Sequence, residues 1–276
     1  FFIPSYYGFG GITYWGNMPF TDYPNYMGII VLILGLIGLI FHKNKIKWYF
    51  FSVSIFALSL SFGKNFFLYE IFYNYFPYFN KFRVPVMLLI LLQFAVSIFA
   101  ALGLDYLIKL LNEKNIKQKL RSIFGLIGSV VLIIFYLRIK INFNSDFSSG
   151  VHPILHQLRL DMINTDIIYS IILIFFFFMA CFLTYKKIIS SNIFVSILIS
   201  CSIIDFCIVN SKIIEPSKES YRKSSLVNNS FKENYLSSDE VIDFLTNDKD
   251  LYRILPIGSS LSGENRWSAF GIESIL

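Results

Sequence analysis

Six apolar runs, each close to the length that crosses a lipid bilayer, limit what this chain can fold into more than any other feature of its sequence. A membrane-spanning helix needs about 20 predominantly apolar residues, within a range of about 17–25. The six runs occupy residues 26–41, 46–62, 84–104, 122–137, 167–185 and 192–209. Because six such runs cannot all be buried helices of one water-soluble domain, the sequence predicts a mainly α fold, a polytopic transmembrane helical bundle formed by residues 1–209.

The composition agrees with a membrane protein and excludes several other classes. Hydrophobic residues make up 55% of the 276 residues and charged residues only 15%, whereas a soluble domain carries about 25% charged residues. These values exclude intrinsic disorder, a collagen-like fibre and a disulfide-rich secreted module. The net charge of +6 arises before Asn210, where 16 Lys and Arg face 8 Asp and Glu. Since this excess lies in loops beside apolar runs, we expect a lipid bilayer and no nucleic acid as partner.

The distribution of Lys and Arg between the loops predicts the orientation of the bundle. Cytoplasmic loops of membrane proteins carry an excess of these residues. Ten of them lie in the loops at 42–47, 105–121 and 186–187, and six lie in the loops at 1–25, 63–83 and 138–166. We therefore expect the second group of loops, and everything after Val209, to face away from the cytoplasm.

Residues 210–276 have the composition of a water-soluble domain. Ser237-Ser238-Asp239-Glu240 ahead of an apolar stretch at 241–245 is typical of an N-cap followed by a short helix. The alternation at 251–256, ended by a proline, is typical of a strand. A helix followed by a strand predicts the start of an extracytoplasmic α/β domain. Because the chain begins without an initiator Met and ends within a motif, we expect further residues at both ends.

The first predicted outward loop is rich in aromatic residues. Residues 9–26 contain six of them, together with Gly and Pro, and Asp22 is the only charged residue. One interpretation is an interfacial aromatic belt. Another is a binding loop, in which rings such as Tyr14 and Trp15 stack on a sugar and Asp22 accepts hydrogen bonds from its hydroxyls. In a third interpretation, Asp22 binds a divalent cation beside a lipid phosphate. This interpretation depends on a single carboxylate. The sequence indicates no other cofactor.

The second predicted outward loop ends with a cluster of polar and basic residues, Asn80, Lys81 and Arg83, just ahead of the third apolar run. Arg and Lys bind phosphate, the former through paired hydrogen bonds and the latter as a point charge. The cluster therefore indicates phosphate capture, and the alternative is that these side chains extend toward anionic headgroups.

Two further features carry less weight. Asp205 lies within the last apolar run, where a carboxylate usually faces a polar cavity or a partner, unless it reaches water at the nearby membrane boundary. His152 and His156 have the i, i+4 spacing of a helical metal site, but Pro153 places His152 outside or at the start of a helix. We do not expect a metal at these histidines.

With these residues in view, the chain resembles the bacterial YfhO-like family of polytopic membrane proteins, which is grouped with the GT-C class of glycosyltransferases. The matching motifs are Phe9-Gly10-Gly11, Tyr14-Trp15-Gly16, Pro19-Phe20-Thr21-Asp22-Tyr23-Pro24-Asn25-Tyr26-Met27-Gly28, Ser61-Phe62-Gly63-Lys64-Asn65 and Phe79-Asn80-Lys81-Phe82-Arg83-Val84-Pro85. In the tail they are Tyr252-Arg253-Ile254-Leu255-Pro256, Asn265-Arg266-Trp267 and Gly271-Ile272-Glu273-Ser274.

The resemblance implies a GT-C-like bundle in a bacterial cytoplasmic (inner) membrane, with its active face and C-terminal domain outside the cytoplasm. Such enzymes transfer a sugar from a polyprenyl-phosphate donor to an acceptor, here a cell-envelope glycan or lipid-linked acceptor. Their catalytic acid is expected upstream of Phe1, so no catalytic residue is assigned. The expected substrate-binding residues are Asp22, Tyr14, Trp15, Asn80, Lys81 and Arg83. The alternatives are a transporter or flippase of a lipid-linked saccharide and a non-catalytic scaffold for envelope assembly.

Overall fold

The computed structural model of this chain describes residues 1–9, 13–16, 24–81, 84–113, 117–142, 152–214, 236–248 and 270–272, together with positions 230, 233 and 254. The chain divides into two compact units, Phe1–Lys223 and Ser224–Leu276. Helices dominate the described residues, and no strand is present among them. The mainly α architecture is therefore confirmed.

Seven helices account for most of the described part of the first unit. They are α1 (Ile29–Phe41), α2 (Ile46–Ser61), α3 (Phe67–Tyr75), α4 (Leu89–Asn112), α5 (Lys117–Asn142), α6 (Pro153–Tyr185) and α7 (Ser191–Ile214). Three short 3-10 turns flank α3 and precede α4, at Gly63–Asn65, Phe79–Lys81 and Pro85–Leu88. Each of the six apolar runs coincides with a helix, as predicted.

Four of these helices are long and apolar enough to cross a membrane. They are the stretches Pro85–Asn112, Gln118–Asn142, Pro153–Tyr185 and Ser191–Lys212. The remaining two apolar helices are shorter, with 13 residues in α1 and 16 in α2. The helical bundle is thus of the membrane type.

Helices extend past the predicted loop and domain boundaries at two places. Residues 138–142 and 153–166 of the loop predicted at 138–166 belong to α5 and α6, and α7 continues past the predicted domain boundary at Val209. An apolar run ends where charged side chains begin, but the backbone hydrogen bonds that define a helix do not depend on side-chain polarity. The 33 residues of α6 span about 50 Å at about 1.5 Å per residue, more than the hydrocarbon thickness of about 30 Å. Helix α6 is therefore longer than one crossing of the hydrocarbon layer requires.

Helix α1 occupies the middle of the bundle although it is short. It contacts α4, α5, α6 and α7. Its isoleucines at 29, 33 and 37 recur every fourth residue and are fully buried. A helix that is covered on several sides has to be apolar on several sides, which explains why α1 contains no charged residue.

Glycines bring α1 and α4 into backbone contact. A Cβ atom built on Gly38 would lie 2.0 Å from the carbonyl oxygen of Phe99, and one built on Gly103 would lie 1.9 Å from that of Leu34. No side chain fits at such distances. Small residues at helix crossings are the usual means by which membrane helices approach closely.

One end of the bundle is marked by a polar cluster. Asp105 near the end of α4 contacts His42 Nε2 at 3.2 Å and Lys109 Nζ at 2.7 Å. Asn112 at the last turn of α4 donates to Ser191 Oγ at the start of α7, at 3.4 Å. The loops predicted to be cytoplasmic thus adjoin one another at this end, while the compartment that the end faces stays a prediction.

The second unit contains α8 (Glu240–Asn247), which confirms the helix predicted there. Asp239 caps it, because its carboxylate accepts a hydrogen bond of 2.9 Å from the backbone N–H of Ile242. Ile242 is buried against Ile272. The strand predicted at 251–256 lies outside the described residues except for Ile254, so the α/β character of this unit stays a prediction.

Candidate functional site

A cavity of about 520 Å³ lies at the end of the bundle opposite the Asp105 cluster. Most of its wall comes from the N-terminal segment, which we define as the described residues of 1–16. The wall is completed by Pro24 and Asn25 ahead of α1, Val86 ahead of α4, and Leu137 and Lys140 near the end of α5. The aromatic lining residues are Phe1, Phe2, Tyr6, Tyr7 and Tyr14. The cavity is therefore apolar and aromatic, with one ammonium group among its lining residues.

Three rings form a compact cluster at the cavity. The centroid of Tyr7 lies 4.7 Å from that of Trp15 and 5.0 Å from that of Tyr6. The indole Nε1 of Trp15 donates a hydrogen bond of 2.8 Å to the carbonyl oxygen of Tyr6. Burial raises the pKa of the Tyr6 hydroxyl above its ordinary value, because the phenolate loses hydration. Tyr6 thus stays a neutral hydroxyl that can both donate and accept hydrogen bonds.

The N-terminal segment turns back on itself at Gly8. This glycine has a φ of +86°, and a Cβ atom there would lie 2.2 Å from the carbonyl oxygen of Thr13. Two hydrogen bonds close the turn, from Trp15 N to Tyr7 O at 3.0 Å and from Phe9 N to the Thr13 hydroxyl at 3.2 Å. The turn requires glycine because its φ is positive and because a side chain at this position would have no space.

A buried carboxylate on α6 holds the N-terminal segment against α7. Asp166 is 4% exposed, and its Oδ2 accepts a hydrogen bond of 2.6 Å from the backbone N–H of Ser5. Its Oδ1 pairs with Lys212 Nζ at 2.5 Å. Lys212 also lies 5.6 Å from the ring centroid of Phe9. One ion pair therefore links the segment, α6 and α7.

A buried guanidinium on the same helix makes a second attachment. Arg159 donates from Nε to the carbonyl oxygen of Thr13 at 3.0 Å and from Nη2 to that of Tyr14 at 3.4 Å. Hydrogen bonds from a charged donor to backbone oxygens are stronger than neutral ones. Because Tyr14 lines the cavity, Arg159 fixes part of the cavity wall.

A third buried charge, Asp205 on α7, caps the start of α1. Both of its oxygens lie 2.9 Å from the hydroxyl of Tyr26, and Oδ2 accepts a hydrogen bond of 2.9 Å from the backbone N–H of Ile29. Gly28, with a φ of +84°, lets the backbone make this approach. Asp205 is 5% exposed, so the alternative of a polar partner is confirmed and that of contact with water is wrong.

The Tyr26–Asp205 contact can be tested by Tyr26→Phe. We expect this substitution to lower the free energy of unfolding by about 1.5–3 kcal/mol, because it removes a hydrogen bond to a buried carboxylate and keeps the ring. Unfolding in mixed micelles, followed by helical circular dichroism, measures the change. Tyr49→Phe at an exposed position of α2 is the matched control, and an equal loss in both variants would contradict the assigned role.

The structure brings together only some of the predicted binding residues. Tyr14 lines the cavity and Trp15 packs on two of its lining residues. Asn80 and Lys81 are exposed in the turn Phe79–Lys81 and are not among the residues that line the cavity. Asp22 and Arg83 lie outside the described residues. The roles of these four residues stay predictions, and the lysine that the structure places at the cavity is Lys140.

No metal site is evident in the part of the chain that the structure describes, since it holds no group of three His, Cys, Asp or Glu side chains suited to a cation. His152 instead caps the start of α6, and its Nδ1 accepts from the N–H of Ile154 at 3.4 Å. His156 lies one turn further along the same helix.

The apolar runs do not predict three residues of the site, namely Arg159, Asp166 and Lys212. A signal for two of them is present in α6, whose buried residues recur at alternating intervals of four and three. The series is Arg159, Ile163, Asp166, Ser170, Leu173, Phe177, Ala180 and Thr184. Residues with this spacing share one face of a helix. Extending the stripe from the apolar part of α6 toward its start would have placed both charged residues on the buried face.

Comparison with known proteins adds no assignment to this geometry. No family model, no curated protein and no solved structure matches the chain.

Proposed function

We propose that the chain is a membrane glycosyltransferase-like protein of the GT-C type, whose cavity receives the sugar and phosphate of a polyprenyl-phosphate donor. The observation that carries this proposal is an aromatic cavity with a lysine among its lining residues, at one end of a bundle of apolar helices. The resemblance of the loop motifs to the YfhO-like family supports it further.

The size and lining of the cavity suit a sugar attached to a phosphate. Ligand cavities typically measure about 300–1,000 Å³, and the volume here is about 520 Å³. Tyrosine rings offer flat apolar faces to sugar C–H groups, while their hydroxyls and Asn25 offer hydrogen bonds to sugar hydroxyls. The ammonium group of Lys140 is suited to the phosphate. The polyprenyl chain would lie along the lipid-facing helices.

The proposed reaction is an attack of an acceptor hydroxyl on the anomeric carbon of the sugar. The bond from that carbon to the phosphate oxygen breaks, and the phosphate leaves with the electron pair while a carboxylate takes the hydroxyl proton. A cation beside the phosphate stabilises the charge that develops on it. Among the described residues, Lys140 provides this cation. Lys81 and Arg83 remain the phosphate contacts that the sequence predicts. The resemblance puts the carboxylate ahead of Phe1 and the reaction on the outer face of a bacterial cytoplasmic membrane.

Donor binding by the full-length protein tests the proposal. We expect Lys140→Gln to weaken binding of a polyprenyl-phosphate sugar about 10-fold, since it removes one charge-assisted contact. Tyr14→Ala, which removes a lining ring, is expected to weaken binding as well. Binding is measured with a radiolabelled donor in detergent micelles. Lys43→Gln at the Asp105 end of the bundle is the matched control. If the affinity of all three variants equals that of the parent, the cavity is not the donor site.

A flippase for lipid-linked saccharide is the second candidate, because four charged residues on α6 and α7 are wholly or largely buried. They are Arg159, Asp166, Asp205 and Lys212. However, all four bind partners at one end of the bundle instead of lining a path through it. Sealed vesicles containing the protein separate the two functions. Transfer of the sugar to an acceptor supports the enzyme, whereas appearance of intact donor in the opposite leaflet supports the flippase.

A further inference from the structure

The segment between α2 and α4 is the most aromatic part of the molecule and takes no part in the cavity. Of the 16 residues at 66–81, nine are aromatic, namely Phe66, Phe67, Tyr69, Phe72, Tyr73, Tyr75, Phe76, Tyr78 and Phe79. The segment contains α3, in which no residue is buried. Tyr75 is 84% exposed and Tyr78 is 80% exposed. Exposure of so many aromatic rings to water is unfavourable in free energy, so an apolar partner is expected to cover them.

Helix α3 has an apolar face and a polar face. Successive residues are rotated by about 100° around a helix, so Ile71, Phe72 and Tyr75 fall on one face. Glu70 falls on the opposite face, and Asn74 lies at the border between the two faces. This division is typical of a helix that lies along a boundary between apolar and polar surroundings.

The position of α3 beside α2 places its apolar face at the level of the apolar helices. The ring of Phe72 contacts that of Phe56 in α2, with centroids 5.4 Å apart. Phe56 lies five residues before the end of α2 at Ser61, or about 8 Å at about 1.5 Å per residue. Helix α3 therefore folds back along the side of α2 and does not project away from the bundle.

The surface beside α3 continues the same apolar character. Phe56 itself is 42% exposed, and Ile55, Met87 and Ile90 on the flanking stretches are more exposed still. Met87 and Ile90 belong to a stretch that is long and apolar enough to cross a bilayer, and α2 is a shorter apolar helix. Lys64 and Lys81 are exposed close to the two ends of α3, where cations can reach lipid phosphates.

From these observations we propose that α3 lies in the membrane interface, with Phe72 packed on α2, Ile71 and Tyr75 against acyl chains, and Glu70 toward the headgroups. The partner of this surface is the lipid bilayer itself. Tyrosine suits this depth because its ring is apolar and its hydroxyl is polar. The proposal does not depend on glycosyl transfer.

Spin labels can measure the surroundings of α3 in the full chain. The background variant replaces Cys181, Cys201 and Cys207 by Ala, and single cysteines are then placed at Ile71, Tyr75 or Glu70. In liposomes, oxygen reaches labels in the lipid and the water-soluble reagent NiEDDA reaches labels in water. We expect oxygen collisions to exceed NiEDDA collisions at 71 and 75, and the ratio to be inverted at 70, the matched control on the same helix.

Two results would overturn the proposal. Frequent NiEDDA collisions at 75 would show that the apolar face is in water, and infrequent collisions with both reagents would show that a protein covers it. If the cysteine-free variant does not fold, Tyr75→Trp and Glu70→Trp are compared in the native background. Brominated lipids are expected to quench the added fluorescence of the first variant more than that of the second, and equal quenching would contradict the interfacial placement.

Discussion

Asp166→Ala is expected to lower the free energy of unfolding by about 3 kcal/mol, the largest loss for any single side chain at the site. Removing one partner of a buried ion pair typically costs about 3–5 kcal/mol, because the other charge is left uncompensated. Lys212 is 26% exposed, so water relieves part of its penalty and the lower end of the range applies. The backbone N–H of Ser5 also loses its acceptor. Unfolding in mixed micelles measures the change.

A control and a compensating pair show whether the loss comes from the buried charge. Asp161→Ala removes an exposed carboxylate from the same helix, which accepts a hydrogen bond of 3.0 Å from Gln157 Nε2, and should change stability by less than about 0.5 kcal/mol. Asp166→Leu combined with Lys212→Met removes both charges and is expected to recover most of the loss. If Asp166→Ala and Asp161→Ala behave alike, the ion pair does not hold the bundle together.

Asp166→Ala is also expected to disturb the cavity. Ser5 lies between Pro4 and Tyr6, which both line the cavity, and its backbone N–H is the group that Asp166 binds. When this contact is lost, the attachment of Arg159 to Thr13 further along the segment remains. We therefore expect donor binding in Asp166→Ala to weaken by more than the change in folded fraction explains.

The helices could be predicted from the sequence because each apolar run is a local signal. A run of the right length specifies a helix whatever its neighbours are. Helix α3 was predicted as part of the loop at 63–83, since nine residues are too few to span a membrane and the run-length criterion ignores shorter helices. The aromatic residues of the first loop are also a local signal, because they are close together in the sequence. Tyr14 lines the cavity, and Trp15 packs on a residue that lines it.

The cavity and its attachments could not be predicted in the same way, because they join residues far apart in the chain. Ser5 and Asp166 are 161 positions apart, and Thr13 and Arg159 are 146 apart. Lys140 reaches the cavity only because α5 continues beyond its apolar stretch. The length of an apolar run assigns the charged residues at its end to a loop, whereas buried partners let them remain in helices. Several of these partners are backbone groups, such as the N–H of Ser5 and the carbonyl oxygen of Thr13, and the sequence does not identify them.

Gly103→Ala is expected to be the second most damaging substitution in the bundle, with a loss of about 3 kcal/mol. A single Cβ atom there would lie 1.9 Å from the carbonyl oxygen of Leu34, so α1 and α4 have to move apart. Overpacking of this kind typically costs about 1–3 kcal/mol, and the upper end applies because the neighbour is backbone and cannot rotate away. In an open helix position the same change would favour the helix by about 1 kcal/mol.

Gly125→Ala provides that open position, since nothing lies within 4 Å of a Cβ atom built there on α5. We expect it to leave the stability of the bundle unchanged or slightly raised in the same micelle titration. Gly38→Ala meets Phe99 across the same contact and should cost about as much as Gly103→Ala. Because one outward shift of α1 from α4 relieves both clashes, the double variant is expected to lose less than the sum of the two. A strictly additive loss would mean that the two glycines do not share one helix crossing.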